Sequence, residues 1–387
     1  MPSYEGSLMK TPVYKIYQPK TILNVHKHSD GGWFWDKYSA VPYVGCEWAC
    51  EYCYWRDEKY NPHKPSRDPD VLKFDDPFSQ YIKVKEDAPE LLRRALTKRS
   101  RDLIYLDCYQ PIDSKYQYVR KMLEVCLELA FPVLINEKSP LILRDLDILK
   151  KIGEKSYLNV GWSIITTEDD QTREAFEPKA PTVSSRFAVM EKLAANKIMT
   201  GTVFMPILPF IYDTDRNIEA VVQKTKESGG RYVLDGGLTL WGYSKTHFYK
   251  ALKKYDPDLI LKYDQLYGDD QLFSNHQALV HQKVLKYCEK YGLSSFIPRP
   301  VNFYPEELQI NKKIAEKFYL EARELQLTGQ GSYKEAAYRK AAWALDDLEE
   351  GLEKIYRTNG IAGLLEIKGI GRSLAGKIEE FLDSSKS

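Results

Sequence analysis

The sequence predicts an α/β protein: a partial (β/α)6 barrel followed by a small all-α helix-hairpin-helix domain. Three observations carry this expectation. Between residues 103 and 234, short apolar runs alternate with amphipathic stretches of helical spacing, the pattern of βα units around a parallel sheet. The Pro-rich stretch Ile297–Tyr304 (I-P-R-P-V-N-F-Y) reads as a linker, and from Glu306 the pattern is continuously helical. Near the end, Leu364–Leu382 (L-L-E-I-K-G-I-G-R-S-L-A-G-K-I-E-E-F-L) reads as helix, glycine hairpin and helix. The expected organisation is a lead-in over residues 1–38, a barrel with a helical C-terminal part over 39–300, and a helix-hairpin-helix domain that binds nucleic acid over 306–387.

In chain order, residues 1–38 give a lead-in strand and turn around His26, His28, Ser29, Asp30, Gly31 and Gly32. Two histidines at i, i+2 with no third ligand nearby make a turn, not a metal site. Ala40–Val44 reads as a strand, Asn61–Pro69 as a loop and Ala88–Arg99 as a helix. Strands follow at Leu103–Leu106, Pro132–Ile135, Leu158–Ile165 and Thr200–Met205, with a last one beginning at Tyr232–Leu234. The intervening helices are Tyr116–Ala130, Leu141–Ile152, Val183–Asn196 and Asn217–Ser228. In a barrel of this kind active residues lie at the C-terminal strand ends, where Cys46, Asp107, Lys138, Ser163, Pro206 and Asp235 fall. Trp241–Tyr291 is helical in tone and is expected to pack against the open side of the barrel.

At 387 residues, with 43% apolar content, the chain can bury a large core and is not disordered. The formal charge of +1 does not announce a nucleic-acid binder, although it leaves room for a local basic patch. No apolar run reaches membrane-spanning length, and M-P-S-Y-E-G-S lacks the form of a signal peptide. Cys108, Cys126 and Cys288 are scattered and form no disulfide framework, so a cytoplasmic, reducing location is expected.

The chemistry concentrates in Val44–Trp55 (V-G-C-E-W-A-C-E-Y-C-Y-W), where Cys46, Cys50 and Cys53 stand in C-x3-C-x2-C spacing. Thiolates closely spaced on one loop can wrap one iron–sulfur cluster. Three thiolates on four irons leave one iron open, as the open position of a catalytic metal is. The alternatives are a zinc knuckle, with His63 or a more distant group as fourth ligand, and three buried structural cysteines.

With Tyr52 before the last cysteine, this spacing resembles the signature of radical SAM enzymes. Y-V-G-C-E-W-A-C-E-Y-C-Y (43–54), Y-Q-P-I-D (109–113), K-S-P-L-I-L-R-D-L-D (138–147), S-I-I-T-T-E-D-D (163–170) and F-E-P-K-A-P (176–181) together resemble the DNA repair photolyase-like proteins related to spore photoproduct lyase. The resemblance spans roughly residues 20–300. It implies a radical SAM partial barrel with a [4Fe–4S] cluster on Cys46, Cys50 and Cys53, S-adenosyl-L-methionine as co-substrate, and an electron donor such as ferredoxin or flavodoxin. It also implies that Lys138 and Ser163, with Asp107, contact S-adenosyl-L-methionine, and that Tyr52 and Tyr54 relay a hydrogen atom. The hydrogen-donating cysteine of spore photoproduct lyase is matched here by Ile104, which cannot donate; Cys108, four residues on, becomes the candidate.

The glycines Gly369 and Gly371 let backbone amides approach a phosphate, and the helix N-terminus after them adds its positive end. Lys368 and Arg372 flank them. With Y-K-E-A-A-Y-R-K-A-A (333–342), residues 310–383 resemble the N-terminal lyase-type domain of family X DNA polymerases such as polymerase beta. That resemblance implies binding of gapped DNA, with Lys334, Tyr338, Arg339 and Lys368 on phosphates and Lys377 at the Schiff-base position. The expected activity is radical SAM repair chemistry on damaged or modified DNA. The alternatives are radical modification of RNA or protein, and a nucleic-acid-binding protein with a zinc or redox-sensing centre.

Overall fold

Among the described residues (11–57, 69–107, 109–329 and 332–384 of the computed structural model), ten strands form two sheets. They are β1 (Val13–Tyr17), β2 (Leu23–Val25), β3 (Tyr38–Ala40), β4 (Tyr43–Val44), β5 (Tyr81–Lys85), β6 (Ile104–Leu106), β7 (Val133–Glu137), β8 (Leu158–Ser163), β9 (Met199–Ile207) and β10 (Val233–Gly237). In the larger sheet β3, β6, β7, β8, β9 and β10 lie side by side in chain order and parallel, and β2 pairs antiparallel on the outer side of β3. Sequential parallel strands joined by helices make a barrel that stays open between its first and last strands.

The sheet is buried on both faces, so its strands read as apolar runs and not as alternating ones; every residue of β8 is buried. Helix Tyr118–Leu129 turns Val119, Met122, Leu123, Val125 and Cys126 inward against Ile104, Val133, Ile135 and Trp162 of the outer sheet face. Helix starts are fixed by local caps: Thr182 accepts from the Ser185 amide, Thr214 from Asn217 and Asp170 from Arg173.

Three segments depart from the sequence expectation. The strand expected over Ala40–Val44 divides at Pro42: β3 joins the barrel, whereas β4 pairs with β5 in a small sheet ordered β1-β5-β4. The helix expected over Leu141–Ile152 begins as a 3-10 turn, Pro140–Asp145, and becomes α-helical only over Leu146–Lys155. Pro140 at its start and the pinning of Arg144 by Asp113, at 2.7 Å, hold that first turn tight. Residues 297–304 are irregular, yet they are packed: Ile297 accepts from the Trp35 indole at 2.7 Å, and Arg299 is buried against Asp346 at 2.6 Å.

The C-terminal helices are Glu306–Leu327, Ser332–Asp346, Leu352–Leu365 and Arg372–Ser384. The first of them covers the open side of the barrel together with Asp270–Tyr291, the last helix of the stretch Trp241–Tyr291 expected there, whose His281 meets Asp235 of β10 at 2.8 Å. Tyr319 of Glu306–Leu327 stands edge-on to Trp35 beside β3, and Arg323 of the same helix pairs with Asp235 at 3.0 Å. Glu306–Leu327 therefore bridges the two ends of the parallel sheet, and one apolar cluster joins Trp35, Leu134 and Leu234 to Ile314, Phe318, Ala341 and Ile378. Helices Gly242–Tyr255 and Leu259–Gly268 instead cover the cysteine loop: Phe248, Leu252, Leu259 and Tyr263 share a cluster with Cys50, Tyr52 and Phe176. No helix among the described residues is long and apolar enough to cross a membrane.

Candidate active site and nucleic-acid interface

The cysteine loop leaves β4 through Gly45, whose φ of 89° lies in the left-handed region. A Cβ there would stand 2.6 Å from the Phe78 carbonyl oxygen, so only glycine passes. Further on the loop is tied from several sides. The Glu47 amide donates to Gln110 at 2.9 Å, Gln110 donates to the Gly45 carbonyl at 3.2 Å, and Glu47 accepts from the Ile112 amide at 2.7 Å. The buried Arg56 donates to the Cys50 carbonyl at 2.9 Å and pairs with Asp76 at 2.6 Å. The Glu51 amide donates to the Phe176 carbonyl at 2.9 Å. The sequence blocks 109–113 and 176–181 thus act physically as clamps on the cysteine block.

Burial pushes the thiols of Cys46, Cys50 and Cys53 up, and mutual repulsion of their charged forms pushes Cys46 and Cys53 further; Cys53 reaches about 12. Thiols so placed, Cys50 buried and Cys46 and Cys53 half-buried, stay protonated unless a cationic group among them offsets the charge of the thiolates. A cluster held by three cysteines fits that donor set.

Above the loop, Lys138 and Ser163 meet at the ends of β7 and β8. The Lys138 ammonium donates to the Ser163 hydroxyl, to the Tyr52 hydroxyl at 3.3 Å, and pairs with Glu177 at 3.2 Å. Its side chain is 12% exposed, so it is not a solvated loop lysine. Ser163 caps no helix; the next cap is Asp170. Tyr52 is buried and donates to Glu177, and burial, then the Glu177 charge, raises its pKa well above the ordinary phenol range. The hydroxyl therefore keeps its proton at neutral pH. Tyr54, by contrast, is 47% exposed on the turn after Cys53, so the structure separates the two flanking tyrosines. Asp107 accepts from Tyr105 at 3.4 Å and lies within electrostatic reach of Cys46 and of buried Glu137. It caps no helix either, the next beginning at Asp113. Cys108 lies outside the described residues; Ile104 is buried among the outer core residues.

Two residues that the sequence reading left unassigned complete this cluster. Glu177 has no exposed side-chain area, and buried Arg186 donates to it. Burial alone would raise the Glu177 pKa, but the charges of Arg186 and Lys138 outweigh burial and take it down to about 2. Arg186 also donates to the Ser163 carbonyl at 2.9 Å. The segment F-E-P-K-A-P-T-V-S-S-R-F is half polar, with Lys179, Thr182, Ser184 and Ser185 beside them, and carries no local signal that Glu177 and Arg186 are the buried charges.

In the C-terminal domain the hairpin turns at Gly369, φ 93°, and the second helix buries Ala375, Ile378 and Leu382. Phe381 on the same helix is only partly buried, with the Lys317 ammonium over its ring at 4.1 Å. A Cβ on Gly371 would meet nothing within 4 Å, so packing does not demand glycine there. Lys334, Lys368 and Arg372 are exposed. Tyr338 is buried at 4%, and the Lys377 amine donates to its hydroxyl at 2.6 Å. That bond is the main cause of a raised Lys377 pKa, which keeps the amine charged, whereas Schiff-base attack requires it neutral. Arg339 bonds Glu335 at 2.7 Å and Gln326 at 3.0 Å and lines a cavity of about 400 Å³ with His26, His28 and Trp343.

With this geometry in view, comparisons place the chain. A family model described as a helix-hairpin-helix domain matches residues 309–387. An uncharacterized protein of Mycobacterium tuberculosis (strain H37Rv) is 24% identical over 266 residues, covering 67% of this chain and 75% of that protein. One from Methanocaldococcus jannaschii is 29% identical over 196 residues, covering 49% of this chain and 66% of the relative. Among solved structures, spore photoproduct lyase complexed with dinucleoside spore photoproduct superposes with a TM-score of 0.51 at 16% identity, covering 72% of this chain and 79% of that one. The chain thus combines an α/β fold similar to that of spore photoproduct lyase with a C-terminal helix-hairpin-helix domain.

Proposed function

We propose that this protein is a radical SAM enzyme acting on DNA that carries a damaged or modified nucleotide. In this reading Cys46, Cys50 and Cys53 hold a [4Fe–4S] cluster, and Lys138 and Ser163 receive S-adenosyl-L-methionine. When bound, the cluster and co-substrate supply a 5'-deoxyadenosyl radical, a species that abstracts hydrogen from carbon.

The chain's own residues bind, orient and shield. Lys138 offers an ammonium to a carboxylate, and Ser163 a hydroxyl to an amino-acid or ribose group. Tyr52 presents a protonated phenol within electrostatic reach of Cys50, as a hydrogen-atom relay needs. Phe248, Leu252 and Tyr263 keep water from the loop, which protects a reactive intermediate from side reactions. A nucleotide reaching strand ends inside a barrel must leave the base stack. The C-terminal domain supplies grip on the phosphate backbone without reading sequence: the open backbone at Gly371, with Lys368 and Arg372 beside it, suits that task.

The observation that carries this reading is the meeting of three thiols of one loop, Cys50 buried and Cys46 and Cys53 half-buried, with the Lys138–Ser163 pair at adjacent parallel strand ends. The test is mass spectrometry of DNA and RNA after incubation with reduced protein and S-adenosyl-L-methionine. A mass change confined to lesion-bearing DNA supports the reading. Change in RNA alone, or in neither, contradicts DNA as the substrate.

A further inference from the structure

We infer that Glu177 is the positioning residue of this site: it fixes Lys138 and Tyr52 against the cysteine loop and so presets the ammonium that receives the co-substrate carboxylate. The inference rests on the proposed function for its consequence, but its structural half stands on contacts alone.

A lysine side chain carries four rotatable methylenes and three donors on a point charge, so by itself it specifies no direction. Here all three donors are engaged, by Ser163, Tyr52 and Glu177. Ser163 and Tyr52 are neutral, so Glu177 is the charged anchor among them. One carboxylate oxygen, Oε1, faces both Lys138 and Tyr52; the other, Oε2, faces Arg186. Arg186 in turn donates to the carbonyls of Ser163 and Pro181. Glu177 therefore ties together three separate chain segments: the cysteine loop through Tyr52, the end of β7 through Lys138, and the end of β8 through Arg186 and Ser163.

The charge balance supports a positioning role. Arg186 neutralises Glu177 and is itself fully buried. Once Arg186 is counted, the Lys138 ammonium adds one net positive charge to the cluster, and this remains to attract an anionic group. An incoming carboxylate exchanges with one of the three Lys138 contacts while the others hold the stem in place. Partners that orient a binding group in this way typically matter about 10–100-fold in affinity or activity.

The experiment has two arms on full-length protein. In the first, lysine acetylation is followed residue by residue by mass spectrometry without added co-substrate. Lys138 is expected to react several-fold faster in Glu177→Gln than in wild type, with lysines outside the site unchanged. Glu177→Gln leaves Arg186 buried without a counter-charge, so Glu177→Asp is made in parallel. Asp keeps the charge for Arg186 but is one methylene shorter, and the same rise is expected. Unchanged Lys138 labelling in the folded variants overturns the inference whatever the enzyme does. In the second arm, S-adenosyl-L-methionine binding to anaerobically reconstituted protein is measured by equilibrium dialysis in a double-mutant cycle with Lys138→Met. Glu177→Asp is expected to weaken binding about tenfold in wild type and to add nothing in the Lys138→Met background. Additive losses would mean that Glu177 acts other than through Lys138 and would overturn the positioning role. A wild type that shows the labelling protection but binds no co-substrate would instead contradict the proposed function and leave the structural half intact.

Discussion

Arg323, on the first helix of the C-terminal domain, and Asp235, near the end of the last barrel strand, form an ion pair of 3.0 Å with both side chains only 4% exposed. His281 donates from one ring nitrogen to the same Asp235 at 2.8 Å, and its other nitrogen meets Glu324 at 3.0 Å. The domain is thus joined to the barrel by a desolvated charge network and not by a loose tether. Removing one partner of a buried pair leaves an uncompensated charge, which costs about 3–5 kcal/mol. Because His281 remains to pair with Asp235, Arg323→Ala is expected to lower the stability of the whole chain by less than that, about 1–3 kcal/mol, in urea unfolding. A change below about 0.5 kcal/mol would show the pair to be incidental.

A second lock lies at Asp346, which meets Arg299 at 2.6 Å and Lys312 at 2.9 Å. Burial alone would raise its pKa, but the Arg299 and Lys312 charges outweigh burial and bring it from 3.8 to about 2. A depressed carboxyl stabilises above its unfolded value and loses that contribution as pH falls through the folded one. The lock is therefore intact above about pH 4 and lost between about 4 and 2, a change on the order of 2 kcal/mol. Unfolding free energies measured across that window should fall more steeply for wild type than for Asp346→Asn, which lacks the titrating group.

The hairpin prediction separates fold from function. Because a methyl at Gly371 meets nothing, Gly371→Ala is expected to leave stability within about 0.5 kcal/mol while weakening binding to gapped duplex in fluorescence anisotropy. Lys368→Ala with Arg372→Ala should reduce the salt slope of binding by about 2, one for each lost phosphate contact. Equal affinity of all variants would remove the hairpin from the DNA interface.

The order of strands and helices was legible because each parallel strand is buried on both faces and announces itself as an apolar run. The short sheet of β1, β5 and β4 was not. Its β1 residues Val13 and Ile16 are exposed, and the strand carries no buried run to read. The cysteine loop was legible from spacing, since Cys46, Cys50 and Cys53 lie within eight residues. Glu177 was not, although its block had been singled out, because its partners Tyr52, Lys138 and Arg186 come from separate segments that only the fold brings together. The packing of Ile297–Tyr304 was hidden for a related reason. Its prolines signal irregular backbone, but nothing local reveals that Arg299 lies over Trp35, with its guanidinium 5.2 Å from the ring.

The central claim is that the cysteine loop leaves an iron open for S-adenosyl-L-methionine. The most direct measurement is 5'-deoxyadenosine released by the anaerobically reconstituted, reduced protein, with Cys50→Ala alongside. The account predicts product from wild type and its loss in Cys50→Ala. Equal product from both, or a colourless wild type that holds zinc and yields none, would contradict it.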